Sequence, residues 1–87
     1  MAGIPKKAKR RAPSTGGQGL GSIVATNLRL ARQRRGLSQE KLAELVDIHR
    51  NYVGMVEREV HSPTVSMLGR LCRALEIDPQ SLFKPRT

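Results

Sequence analysis

Within ten residues the chain places His49, Arg50, Asn51, Met55 and Arg58, a set able to recognise a nucleic acid by hydrogen bonding. The planar guanidinium of Arg50 presents donors in a fork that matches the O6 and N7 acceptors of guanine. The amide of Asn51 has a donor and an acceptor, which suits adenine N6 and N7 or a phosphate. Each good bidentate contact of this kind discriminates by ~1–3 kcal/mol. The competing reading is that Arg50 and Asn51 form the solvated polar face of an ordinary helix. Met55 either touches a thymine methyl or is a surface methionine. Tyr52 either places its hydroxyl on a phosphate or packs half-buried.

Catalytic chemistry has no comparable set. His49 and His61 are separated by a helical stretch and have no cysteine nearby. The acids are scattered over amphipathic segments, where a solvated face is the default. No metal-ligand spacing, glycine-rich phosphate loop or nucleophile elbow is present. The expectation is a protein that is not an enzyme and takes neither metal nor cofactor.

The elements that must position these residues lie in Leu37 to Glu57, LSQEKLAELVDIHRNYVGMVE. Ser38 is a good N-cap for a helix, with Lys41 rather than glutamate at the third position, so the capping box is incomplete. Leu42, Ala43, Leu45 and Val46 keep helical spacing. Asp47 then turns the chain. A second helix follows from about Arg50 to Arg58, with Val53 and Val56 on its inner face and Arg50, Asn51, Gly54, Met55 and Arg58 on or near the outer one. Glycine at position 54 costs ~1 kcal/mol against alanine inside a helix. Close approach to DNA or to the preceding helix would explain it. Two short helices joined by a turn, with long polar side chains on the second, have the look of a helix-turn-helix.

The flanking chain completes a small helical bundle. Ser22 caps a first helix, Ile23 to Arg35, whose inner stripe is Val24, Leu28 and Ala31. Gly36 is its left-handed stop. Residues 59–63 form a loop. Thr64 caps a fourth helix, Val65 to Leu75, with Val65, Leu68, Leu71, Cys72 and Leu75 on one face. Asp78 and Pro79 open a last short helix ending at Phe83.

Composition bounds the partners. The 87 residues make one domain, with a net charge of +9 and a sequence pI near 11.2. Such a balance points to nucleic acid, an anionic membrane surface or an acidic protein. Residues 1–21 hold five basic residues, five glycines, two prolines and no acid. They read as a disordered basic arm, either laid along phosphates or simply solvated. Residues 22–87 read as the folded domain, still basic with eleven basic and seven acidic side chains. Tyr52 and Phe83 are the only aromatics, so the core is aliphatic. Cys72 stands alone at an apolar helical position, which suggests a buried thiol and no disulfide framework. No apolar run is long enough to span a bilayer, and no apolar segment follows the basic N-terminus as in a secretory signal. A reducing, cytoplasmic setting without membrane contact is expected.

The segment Leu28 to Phe83 resembles the phage-repressor and Cro type of helix-turn-helix proteins, the XRE family. The resemblance rests on Arg32, Gly36-Leu37-Ser38-Gln39, Leu42-Ala43, Val53, Glu57, Pro63-Thr64, Leu68, Leu71 and Ala74-Leu75-Glu76-Ile77. Each element is weak alone; in this order and at these separations they are a strong signal. The resemblance implies an all-α, compact five-helix, lambda-repressor-like fold. It also implies a sequence-specific regulator of transcription that binds palindromic double-stranded operators as a homodimer.

Position by position, it implies that Gln39 contacts a phosphate and braces the recognition helix, and that His49, Arg50 and Asn51 reach base edges, with Met55 one turn further in. Arg32 and Glu57 would form a structural ion pair. Arg58, His61, Ser62 and Thr64 would hold phosphates, with Tyr52 beside them on the reading given above. Three positions depart from the family's pattern. Asp47 and Glu59 stand where glycine is usual, and His49 is a poorer helix cap than serine or threonine. Aspartate tolerates a left-handed backbone. Glu59 costs ~1 kcal/mol there or shifts the loop, and its charge repels phosphates. The dimer surface is expected at the last helix and the end of the fourth, with Leu75, Ile77, Leu82 and Phe83 as candidates. Two rivals remain open: an antitoxin-type or small control protein with a protein partner and autoregulatory DNA binding, and a basic nucleic-acid-binding adaptor.

Overall fold

Every α-helix among the described residues ends in the same way. A computed structural model describes residues 19–86. It contains α1 (Leu20–Arg34), α2 (Gln39–Val46), α3 (Arg50–Glu57) and α4 (Val65–Leu75), followed by a 3-10 turn, Pro79–Phe83. Just past each helix stands a residue in the left-handed region: Gly36 at φ 70°, Asp47 at 64°, Glu59 at 62° and Glu76 at 56°. The next residue is apolar in all four cases, Leu37, Ile48, Val60 and Ile77. Its N–H donates to the carbonyl five residues back, at 3.1, 3.0, 2.8 and 3.0 Å in chain order. The left-handed residue donates three residues back. This is the Schellman arrangement, in which the reversal satisfies terminal carbonyls and swings an apolar side chain toward the helix it has just left. Leu37, Ile48 and Ile77 pack on the core, whereas Val60 is exposed.

The helix starts use side-chain caps where the sequence supplies them. Ser38 Oγ accepts from Lys41 N at 2.9 Å, and Thr64 Oγ1 from Met67 N at 3.0 Å. Asp78 Oδ1 accepts from Gln80 N at 3.0 Å, just ahead of Pro79. The first helix differs from expectation. It begins at Leu20, not after Ser22, and its N-cap is Gly19 without a side-chain bond. Glycine is tolerated at that position. The extra turn sets Leu20 one turn before Val24, and both line an apolar groove shared with Phe83. The expected arm therefore loses residues 20 and 21 to α1; its remainder up to residue 18 lies outside the described residues.

The last element is a single 3-10 turn rather than a fifth α-helix, so four α-helices stand among the described residues. Five residues beginning with Pro79 and followed by Pro85 leave little room for i→i+4 bonds. The fully buried Leu28, Leu42, Val53, Leu71, Leu75 and Leu82 form the centre of the core. Each such side chain contributes about 1.5–3 kcal/mol by leaving water. Leu75 and Leu82 are thereby corrected from dimer-surface candidates to core residues, while Phe83 stays exposed. The burial of Cys72 among them pushes its thiol pKa up, with a further push from the Asp78 carboxylate. No helix among the described residues is long and apolar enough to cross a membrane.

Candidate nucleic-acid interface

Helix α3 is fastened from behind and bare in front. Its inner residues Val53 and Val56 are buried in the core, and Glu57 closes the buried face. Arg32, from the last turn of α1, meets Glu57 side-on. Its Nε donates to Oε2 at 2.7 Å and its Nη2 to Oε1 at 3.0 Å. Arg32 Nη1 donates to the Leu37 carbonyl at 2.7 Å, which ties the α1–α2 turn into the same network. Gln39, the first residue of α2, adds a third bond to the carboxylate, from Nε2 to Oε1 at 2.9 Å. The side chains of Arg32 and Glu57 are only 10% and 4% exposed. A buried pair with its hydrogen bonds filled fixes geometry more than it adds net stability. Here it locks α1, α2 and α3 together at one point.

The outer face of α3 carries Arg50, Asn51, Met55 and Arg58. Arg50, Asn51 and Arg58 are exposed and Met55 is half-buried. His49 caps the helix: its imidazole Nδ1 accepts from Asn51 N at 3.1 Å, so the ring substitutes for the usual hydroxyl. That bond engages His49 with the backbone and leaves the Asn51 side chain free. Arg50 is not wholly free. One of its nitrogens lies 3.7 Å from the Glu40 carboxylate of α2, a surface pair with both side chains largely exposed and therefore weak. Gln39 lies beside this face. A Cβ built on Gly54 would meet Arg58 Nη1 at 3.0 Å and Gln39 Oε1 at 3.1 Å. The glycine thus answers to the close approach of α2 and Arg58.

The phosphate candidates divide into two groups. Tyr52 is half-buried against the core, and burial raises its pKa. Its ring meets that of His61 edge-on, with centroids 4.9 Å apart and planes at 66°, which holds the α3–α4 loop to α3. Ser62 and Thr64 are exposed beyond it, and the Thr64 hydroxyl keeps its own proton to donate while accepting from Met67. Arg58 and Gln39 come instead to the middle of α3, where both approach Gly54.

Three residues escaped sequence reasoning. Asn27 is buried on the inner side of α1 and its Nδ2 donates to the carbonyls of Leu82 and Lys84, each at 2.9 Å, and of Ser81 at 3.3 Å. A polar residue among Val24, Leu28 and Ala31 on the inner stripe was the available signal. Arg70 of α4 donates to the Val46 carbonyl at the end of α2. Glu40 faces Arg50. Nothing local in the sequence marks either of the last two.

Comparison with known proteins agrees with this fold. The helix-turn-helix family model matches residues 28–82. The chain is 47% identical over 61 residues to control protein C.SmaI of Serratia marcescens, covering 70% of this chain and 73% of that one. Its fold matches the crystal structure of the hypothetical transcription factor NHTF from Neisseria with a TM-score of 0.76 and 33% identity, over 86% of each chain. It also matches the restriction-modification controller protein C.AhdI from Aeromonas hydrophila with a TM-score of 0.69 and 40% identity, over 72% of this chain and 96% of that one. With α2 and α3 as its paired helices, the chain belongs to the helix-turn-helix family of DNA-binding regulators.

Proposed function

We propose that this protein is a sequence-specific, double-stranded DNA-binding regulator of transcription that grips a palindromic operator as a homodimer, with α3 in the major groove. The observation that carries the reading is the exposed Arg50 and Asn51 on a helix whose opposite face is clamped by Arg32 and Glu57. A helix held rigidly from behind can offer side chains to base edges without ordering them anew on binding. Arg50, Asn51, Met55 and the His49 ring read bases. Gln39, Tyr52, Arg58, His61, Ser62 and Thr64 take phosphates, which give affinity and register. Two-fold pairing sets the recognition helices about one helical turn, ~34 Å, apart. The exposed Phe83 belongs to the face that pairs two copies.

The names of control protein C.SmaI and controller protein C.AhdI favour one refinement, a small control protein with autoregulatory DNA binding. Gel shifts comparing a duplex from the DNA upstream of its own reading frame, a random duplex and an RNA test the main reading. Tight binding confined to the upstream duplex is expected. Equal affinity for all three would replace sequence-specific regulation by a basic nucleic-acid adaptor. Co-purification of a second protein from the native host would bring the antitoxin-type reading forward.

A further inference from the structure

The first cation of α3 carries an acid with it. Glu40, in the first turn of α2, sets its Oε2 3.7 Å from Nη1 of Arg50, which opens α3. Both side chains are largely exposed, so water screens the attraction and the pair adds little to the fold. The other ion pairs among the described residues join Arg32 to Glu57 behind α3, Arg35 to Glu76, and Lys41 to Glu44. Arg58, at the far end of the same outer face, pairs with no carboxylate among the described residues. An acid beside a DNA-facing arginine works against affinity, because it repels phosphates. What it supplies is restraint. A bare guanidinium takes any phosphate, whose oxygens suit its fork as well as a guanine edge does. With Glu40 beside it, the Arg50 charge is already balanced, and a phosphate has to approach the carboxylate to displace it. A guanine edge bears no net charge. It asks only for N–H donors to O6 and N7, and Nη2 and Nε remain for them while Nη1 stays with Glu40.

We propose that Glu40 is a positioning residue that sets specificity: its carboxylate holds Arg50 back from phosphates and keeps the guanidinium for a guanine edge. The proposal rests on the DNA-binding reading and on Arg50 as a base reader. It gives the exposed arginines at the two ends of α3 different acceptors, a base for Arg50 and a phosphate for Arg58.

The test measures affinity for a duplex recovered from a random pool by the wild-type protein, for that duplex changed at the base pair whose preference disappears in Arg50→Ala, and for a random duplex. Glu40→Gln keeps the side chain's size and removes its charge. It should bind the random duplex several-fold tighter. Its preference for the selected base pair, about tenfold or more in the wild type, should fall to a few-fold. In the Arg50→Ala background the same change should leave that preference where it is. Glu44→Gln removes an equal charge from α2, one that pairs with Lys41 and not with Arg50, and should keep the wild-type preference. A role for Glu40 confined to the helix dipole would lower the thermal midpoint of Glu40→Gln without touching the preference. An unchanged preference in Glu40→Gln, or an equal fall in Glu44→Gln, would overturn the proposal. A wild-type protein that enriches no duplex would instead overturn the DNA-binding reading beneath it.

Discussion

Removing the guanidinium of Arg32 should cost a large share of this protein's stability. Glu57 receives three hydrogen bonds, at 2.7 and 3.0 Å from Arg32 and 2.9 Å from Gln39. Arg32→Ala removes two of them, leaves a carboxylate that is 4% exposed with one amide for company, and frees the Leu37 carbonyl. Breaking a buried pair from one side costs about 3–5 kcal/mol. A domain of this size has a total stability of roughly 3–10 kcal/mol, from 0.05–0.15 kcal/mol per residue. Arg32→Ala therefore takes about a third of the stability at least, and at the lower end of that range it unfolds the chain. Glu57→Ala, which strands the cation instead, falls in the same range. Replacing both by methionine removes the charges together, so the double variant should lose less than the two single losses combined, by about 1–3 kcal/mol. Urea denaturation followed by far-UV circular dichroism measures all of these. Two near-neutral single variants, or a double variant whose loss equals the two single losses, would refute the clamp.

Three further outcomes follow from named contacts. Asn27→Ala removes the donor to the Ser81, Leu82 and Lys84 carbonyls and should cost about 1–3 kcal/mol; hydrogen exchange at the Leu82 amide should quicken, and unchanged exchange would contradict the tether. Glu59→Gly relieves a φ of 62° and should stabilise the fold by about 1 kcal/mol in a thermal melt, while tightening DNA binding by removing an acid from the phosphate side; a lower melting point would show that the left-handed turn is not strained. The raised pKa of the Cys72 thiol means less thiolate at any given pH than a free cysteine has. Its alkylation in native buffer should be slow and should rise toward the free-cysteine rate only in urea, whereas fast native alkylation would place the thiol at the surface.

Much of this fold is written in short-range signals. Ser38, Thr64 and Asp78 mark helix starts because a cap needs only the residue and its next turn. Gly36 marks a stop for the same reason. Glu76 carries no such mark, since glutamate is an ordinary helix residue; the stop shows only in the apolar Ile77 behind it. The start of α1 at Gly19 escaped because a glycine cap leaves no side-chain signature, and Ser22 offered a better one three residues later. Periodicity placed Leu75 and Leu82 on an apolar face but could not say whether that face meets the core or a second copy. Tertiary packing decides it, and both are buried. The candidate site divides the same way. The outer face of α3 follows from its spacing. The partnership of Asn27 with carbonyls more than fifty residues away, and the direction of the Gln39 amide, exist only once the helices have met.

The central claim is that the face of α3 reads bases, chiefly through Arg50 and Asn51. Selecting bound duplexes from a random pool with wild-type protein and with Arg50→Ala addresses it most directly. The wild type should enrich a palindrome with half-site centres about one helical turn apart. Arg50→Ala should retain binding while losing its preference at a guanine in each half-site, a discrimination of ~1–3 kcal/mol. Identical enriched sequences from both proteins, or no enrichment by the wild type, would contradict the account.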